Sequence, residues 1–432
     1  MRKDIIKKII TDFHERKLPE LKPRLFSVPL NTKKIVVLTG VRRGGKTYHL
    51  YNLTANLIKN KTDIKNILYF NFEDERIDKN TFILNDILDA YAELYSGINF
   101  GKCYFLFDEI QNINGWEKFL RRVHEQVCPN VYVTGSNATM LSREISTSLR
   151  GRSISYEIYP LSFSEYLNFF DIKINLNSSK SLSLVSNAFE QFLKWGGFPE
   201  TIKLNEEIKI KTFQEYFNVM LFRDIIERYN IAQTAILKYF CKRVVAASAG
   251  QFSINKIYNE IKSQGYKISK DTLYEFQGYV EAIYLAVFIP KYFGSAVKRE
   301  FSKKKVYTID TGLASSIDPF FAKNIGAKLE NMILLELIKS KKTVYYRANN
   351  YECDFLIIEN ERISEALQVC ADMSNMETTK REVKGLIHAC KEYGLNRGII
   401  INLYDEKSYK LEDIEIMVMP AYKYILLLQS KK

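Results

Sequence analysis

Through the first 160 residues, short unbroken apolar runs alternate with stretches in which apolar residues return every three or four positions. Ile35 to Leu38 and Tyr104 to Phe107 are such runs, and the segments NILYFNFEDER and NVYVTGSNATML supply two more. Runs of this length mark strands buried on both faces, as in a parallel sheet. Between them, Leu50, Leu53 and Leu57 keep helical spacing. The opening MRKDIIKKII alternates charge with isoleucine, an amphipathic helical stripe and not the apolar core of a signal peptide. Four strands with intervening helices predict a doubly wound α/β fold.

The rhythm changes further on. Residues 235–290 carry helical periodicity, and SINKIYNEIKSQGYKISKDTLYEFQGYVEAIYLAVFI reads as two helices around a turn at Gly265. Ser269 caps the second helix and an apolar strand follows, so the segment looks like a winged helix-turn-helix. In the last hundred residues, Glu330 and Glu336 lie on a helical stretch, VYYRANNYECDFLIIE reads as a hairpin carrying Asp354, and SEALQVCAD is a further strand.

Composition narrows the class. With 432 residues, 46% hydrophobic and 26% charged, the chain has apolar side chains for more than one core. Nineteen glycines and nine prolines imply short connections. Six cysteines without a CxxC pair and only four histidines leave no zinc cluster and suit a reducing, cytoplasmic setting. The longest uncharged apolar run, Ala282 to Pro290, falls short of the roughly 20 residues of a membrane span, so no membrane is expected. A formal charge of +13 biases the protein toward polyanions such as nucleic acid.

The most specific chemistry follows the first strand, where the turn reads G-x-x-x-x-G-K-T and opens a helix. Gly40, Gly44 and Gly45 let backbone N–H groups wrap phosphate oxygens at the positive end of a helix dipole. Lys46 brings a mobile charge to the β and γ phosphates, and the Thr47 hydroxyl is placed to ligate Mg²⁺. The cradle spans Gly40, Val41, Arg42, Arg43, Gly44, Gly45, Lys46, Thr47 and Tyr48. Arg42 and Arg43 touch phosphate, a neighbouring subunit or solvent. Asp108 and Glu109 end a second strand, where open α/β sheets place ligands. Asp108 would hold Mg²⁺ and Glu109 would orient or deprotonate water. Ser136 and Asn137 end a third strand, within reach of the γ-phosphate or the attacking water. Arg150 and Arg152 flank a glycine and are read either as a transition-state arginine or as surface ion pairs. Glu73, Asp74 and Glu75 read as a solvated strand end.

On GVRRGGKT, YFNFEDER, FLFDEIQNINGWE, VTGSNATMLS, LRGR, YPLSFSEYL, GGFPE and FRDIIERY, the chain resembles prokaryotic AAA-superfamily ATPases of the AAA_14 type. In these a DUF4143 C-terminal region is related to restriction-type nucleases. The resemblance implies ATP and Mg²⁺ as cofactors, Asp108 and Glu109 as the acidic pair, Ser136 and Asn137 near the sensor position, and Arg150 or Arg152 as a finger. It also implies a nuclease-like site at Glu330, Asp354, Gln368 and Cys370. The family's E/Q-x-K is here Gln368-x-Cys370, so the lysine is missing, and a non-cleaving module is expected, with Lys380 or Lys384 as candidate replacements. The domains expected are a P-loop ATPase (1–170), a helical connector (171–232), a winged helix-turn-helix-like part (233–318) and a nuclease-like end (319–432).

Three functions follow. The first is Mg²⁺-dependent ATP hydrolysis coupled to C-terminal modules that bind DNA or protein. The second is a slowly hydrolysing, nucleotide-gated switch. The third is an ATP-controlled nuclease. DNA would contact the winged helix and the segment 291–305, which holds six basic residues against one acid, with aromatics at Tyr292, Phe293 and Phe301. Lys270 shares its helix with Asp271 and Glu275, which disfavours base reading in a major groove. Self-association through the finger arginine, or a protein partner, stands beside DNA.

Overall fold

Each apolar run of the N-terminal part forms a strand. The computed structural model describes residues 2–78, 80–136, 149, 151–175, 177–300 and 302–430, and the chain divides into two units between Tyr159 and Pro160. In the first unit, β1 (Ile35–Gly40), β2 (Ile67–Asn71), β3 (Tyr104–Asp108), β4 (Asn130–Gly135) and β5 (Ser153–Ile158) form one parallel sheet in the order β2-β3-β4-β1-β5. All five carboxyl ends therefore meet at one edge. β1 lies between β4 and β5, out of chain order, which makes its end a topological switch point where ligands bind.

Successive strand residues face opposite sides. Ile35 and Val37 share a core with Phe70, Phe105 and Phe107, whereas Val36 and Leu38 join Tyr69, Leu106 and Tyr132 on the other face. Helix α1 (Arg2–Glu15), α2 (Lys46–Lys59), α3 (Ile83–Leu94) and α4 (Trp116–Gln126) cover the two faces. The amphipathic start of the chain is α1. It buries Ile6, Ile9, Ile10 and Phe13, and it pairs Arg2, Lys3 and Lys7 with Asp86 and the other acids of α3.

The second unit begins ahead of the boundary expected at 170. Its largest core joins Phe163 and Phe189 with Ile289, Tyr307, Ile333, Phe355 and Ile401, and so crosses the breaks expected at 170, 232 and 318. The helices are α5 (Phe163–Phe169), α6 (Ser179–Trp195), α7 (Glu206–Leu221) and α8 (Thr234–Ala246). There follow β6 (Gly250–Phe252), α9 (Ile254–Ser263), α10 (Lys270–Ala282), β7 (Ala286–Pro290), α11 (Ala296–Glu300) and β8 (Lys304–Thr308). Ser269 caps α10 through Thr272, as expected. The three strands form an antiparallel sheet in the order β6-β8-β7.

Beyond α12 (Thr311–Ile317) and α13 (Pro319–Lys323), helix α14 (Ile325–Lys339) carries Glu330 and Glu336. The expected hairpin is β9 (Thr343–Ala348) and β10 (Glu352–Glu359), followed by β11 (Arg362–Val369) and α15 (Met376–Tyr393). With β12 (Arg397–Asn402), β13 (Lys407–Leu411) and β14 (Ile414–Pro420), they build a mixed sheet in the order β13-β14-β12-β11-β10-β9, and α16 (Ala421–Ser430) closes the described chain. Helices α14 and α15 contribute to separate cores within this unit. Among the described residues, no helix is long and apolar enough to cross a membrane.

The GGFPE motif has a structural explanation. Asp310 accepts hydrogen bonds from the backbone of Gly197 (2.7 Å), Gly312 (2.9 Å) and Leu313 (3.0 Å). A Cβ at Gly196, where φ is +71°, would lie 2.1 Å from the Asp310 carboxylate, and one at Gly312 would lie 2.1 Å from the Trp195 carbonyl oxygen. Gly312→Ala must displace backbone, a cost of about 1–3 kcal/mol. It is expected to lower the thermal midpoint of the second unit while nucleotide binding by the first is kept. Calorimetry with and without nucleotide measures both, and an unchanged midpoint would refute the close-packing explanation.

Candidate nucleotide site

The end of β1 turns within five residues into α2. Gly40 takes φ +149°, and a Cβ there would lie 2.0 Å from the Ile158 carbonyl oxygen, so only glycine lets β1 and β5 close at this edge. Arg43 and Gly45 take φ +65° and +101°, which curls the loop onto the amino end of α2. Val41 is fully buried beneath it and Tyr48 is half exposed on the first turn of α2. Arg24, which the sequence reading passed over, donates to the carbonyls of Gly44 (3.3 Å) and Tyr159 (3.0 Å) and ties the preceding segment to the loop.

Lys46 is only 4% exposed. Its ammonium donates to the carbonyls of Gly40 and Val41, both at 3.1 Å, and lies 3.6 Å from Glu109. The β1 end and the β3 end thus converge on one cation.

Asp108 is buried at the end of β3. Tyr69 donates to its Oδ2 (2.9 Å), Thr134 donates to its Oδ1, and Thr47 hydrogen-bonds the same carboxyl. Burial pushes the Asp108 pKa up, the neighbouring Glu109 charge adds to that, and the three hydroxyls oppose it. Glu109 takes φ +54°, unusual for a residue with a side chain. Its N–H donates to the Thr134 hydroxyl (2.9 Å), and Gln111 donates to its carboxylate. One hydroxyl, Thr134, therefore holds both acids. A buried carboxylate raised by its neighbour and adjoining the Thr47 hydroxyl is a donor set that suits a small hard dication. These residues fit Mg²⁺, which Thr47 and Asp108 would hold.

Other expected residues fall differently. Ser136 is buried at the end of β4, and its hydroxyl has no hydrogen-bond partner among the described residues. Asn137, Arg150 and Phe301 lie outside the described residues. Arg152 precedes β5 and pairs with Glu125. In the β1–β5 register Ile35 faces Ser153 and Gly40 faces Ile158. Arg152 thus sits at the opposite sheet edge, about 15–20 Å from its own phosphate loop at roughly 3.3 Å per residue. That distance is beyond the reach of its side chain. The acids after β2 are not merely solvated. Glu73 pairs with Arg42 (3.2 Å), while Asp74 pairs with Arg76 (2.8 Å), which also meets Asp12 (2.7 Å). Glu75 alone of the three is exposed.

In the second unit, Glu330, Asp354 and Gln368 come together and Cys370 does not join them. The Cys370 thiol donates to the Asp372 carbonyl (3.3 Å), and burial pushes its pKa up to about 11. Gln368 donates to Asp354 (2.8 Å) and to Glu382. The lysine at the acids is neither Lys380 nor Lys384, which are exposed on α15, but Lys305. Its ammonium meets Glu330 (3.0 Å), Glu352 (2.6 Å) and Asp354 (3.0 Å). Burial raises the Glu330 pKa and the Asp354 charge raises it further, against the pull of Lys305. Lys305 is thereby withdrawn from the basic segment 291–305, where it was expected to face phosphate. Lys298 and Lys303 remain exposed there.

Residues 32–167 match the model of an AAA domain family, and residues 186–324 match a domain of unknown function, DUF8612. The nuclease-related family expected for the C-terminal region is thus not the one found over these residues. An uncharacterized protein of Methanocaldococcus jannaschii, MJ1544, is 35% identical over 93% of this chain and 90% of its own length. An uncharacterized protein of Haemophilus influenzae is 28% identical over 90% of this chain and 93% of its own. Among solved structures, the Aeropyrum pernix ORC1 protein in complex with DNA overlaps 74% of this chain and 93% of that one, with 10% identity and a TM-score of 0.28. AMPPCP-bound DnaA from Aquifex aeolicus overlaps 64% and 86%, with 12% identity and a TM-score of 0.25.

Proposed function

The chain belongs to the same family as the M. jannaschii protein, and from that premise we propose that its AAA domain binds ATP with Mg²⁺ and hydrolyses it, its nucleotide state coupled to DNA- or protein-binding modules in residues 160–432. The observation that carries this reading is the meeting of Lys46, Asp108 and Glu109 at one sheet edge, beside a glycine loop that opens a helix. Loop N–H groups and Lys46 hold the phosphates. Thr47 and Asp108 hold Mg²⁺, which offsets phosphate charge when bound. Glu109 takes or orients the water proton, and Thr134 keeps its backbone in register with Asp108.

The helix pair α9 and α10 with the sheet β6-β8-β7 supports a winged-helix reading. Lys256, Lys262, Lys267 and Lys270 are exposed there, as are Tyr266 and Tyr274, but Asp271 and Glu275 share the surface. That mixture supports contact with nucleic-acid phosphates and opposes base-specific reading. The C-terminal sheet is read as a nuclease-like module that does not cleave.

Phosphate release by the full-length chain is expected in Mg²⁺ and lost in EDTA. At low salt DNA should bind and raise the single-turnover rate, with affinity falling steeply as salt rises. Turnover that survives EDTA would sink the Mg²⁺-ATPase reading. DNA that binds without changing the rate would favour a passive adaptor, and no binding at low salt would leave the +13 charge as generic surface.

A further inference from the structure

A restriction-type nuclease site holds a divalent cation among its acids, and the residues here do not fit one. We propose that Lys305 is the resident cation of this cluster, its tethered ammonium standing where a metal ion would. An ammonium has three N–H donors and no acceptor. Three carboxylates meet it: it donates to Glu330 on α14 and to Asp354 on β10, both at 3.0 Å, and forms an ion pair at 2.6 Å with the half-exposed Glu352 at the start of β10.

The second oxygen of Asp354 is engaged as well. Asp354 Oδ2 accepts from Gln368 Nε2 (2.8 Å) and from the Val369 N–H (3.0 Å), while Tyr307 donates to the Glu330 oxygen that Lys305 uses (2.8 Å). Mg²⁺ demands near-octahedral oxygens at about 2.0–2.1 Å, and Asp354 cannot supply one without giving up these donors. Nor is Lys305 free to swing out. It is 3% exposed and belongs to the central strand β8, facing Gln251 on β6 and Ile289 on β7.

Gln368 completes the set. A carboxylate at this position would add a charge that one ammonium does not offset, whereas the amide donates to Asp354 and to Glu382 and holds two acids together. Gln368 and Lys305 thus belong to one arrangement, which ties β8 of the helix-turn-helix sheet to α14 and β10 and makes this polar centre metal-independent. The comparison with a metal site rests on the nuclease-like reading; the ammonium geometry does not.

The test is Mn²⁺ binding by the nucleotide-free, full-length chain, followed by electron paramagnetic resonance. Wild type, Lys305→Arg and Asp354→Asn are expected to share the same weak, unsaturated uptake. Lys305→Met keeps the side-chain length and removes the charge. It should gain one saturable site at least about 10-fold tighter than that background, and Lys305→Met/Asp354→Asn should lose it. Saturable wild-type binding that Asp354→Asn removes would overturn the proposal, as would a Lys305→Met chain that is folded by circular dichroism and gains no site. If Lys305→Met does not fold, wild type against Asp354→Asn decides: equal unsaturated uptake supports the proposal, and a site lost in Asp354→Asn ends it. DNA cleavage by the wild type would instead count against the non-cleaving reading, so the two failures are distinguishable.

Discussion

Lys46→Ala is expected to abolish ATP binding at micromolar nucleotide and turnover with it. The buried ammonium rests on the carbonyls of Gly40 and Val41, beside Glu109. The two carbonyls hold it at the strand edge, where the glycine loop would bring phosphate oxygens. A charge-assisted hydrogen bond is worth about 1.5–3 kcal/mol. Loss of two such bonds weakens binding on the order of 10²–10⁴-fold. Alanine also leaves Asp108 and Glu109 without the cation nearest to them when phosphate charge arrives. Fluorescent-nucleotide titration and phosphate release measure the two effects, and normal hydrolysis by the variant would mean that the nucleotide binds elsewhere.

Glu109→Gln is expected to separate binding from chemistry. The amide keeps the shape and the Thr134 contact, which is made by the backbone N–H and not the side chain. What it lacks is a proton acceptor. Positioned general-base catalysis contributes about 10²–10⁴-fold, so turnover should fall by that factor while ATP affinity changes little, because binding and water activation use different groups. Single-turnover kinetics beside equilibrium binding give the split. Parallel loss of affinity and rate would move Glu109 from water activation to phosphate or metal binding. Unchanged turnover would leave water orientation to the buried Ser136 hydroxyl at the end of β4.

Several features of the site were legible before any coordinates. The glycine loop, Lys46, Thr47 and the adjacent acids are close in sequence, and their chemistry dictates residue type at fixed spacing. Arg24, Tyr69 and Thr134 were not legible. Tyr69 reaches Asp108 from 39 residues away and Thr134 from 26, through strand neighbours that only the order β2-β3-β4 creates. Read along the chain, both are ordinary strand residues. Arg152 shows the converse: an arginine flanking a glycine invites a catalytic role, but the parallel register puts it at the far edge of its own sheet, beside Glu125.

Lys305 was the largest misplacement, counted among six basic residues of a surface segment and found buried against three carboxylates. Its charge pattern was visible, but its direction was not, because β8 turns alternate residues inward only once it lies between β6 and β7. Positions 170, 232 and 318 show the same limit of local pattern. Composition and periodicity change there, yet the side chains on both sides enter one core.

By itself the sequence determined strands β1 to β4, the parallel character of their sheet and the glycine loop, because periodicity and local residue chemistry act over a few neighbours. The tertiary structure alone decided which hydroxyls hold the acidic pair, which edge Arg152 occupies and which lysine stands among the C-terminal acids. Each of these is a meeting of side chains far apart in the chain, and strand order and register, not local pattern, bring them together.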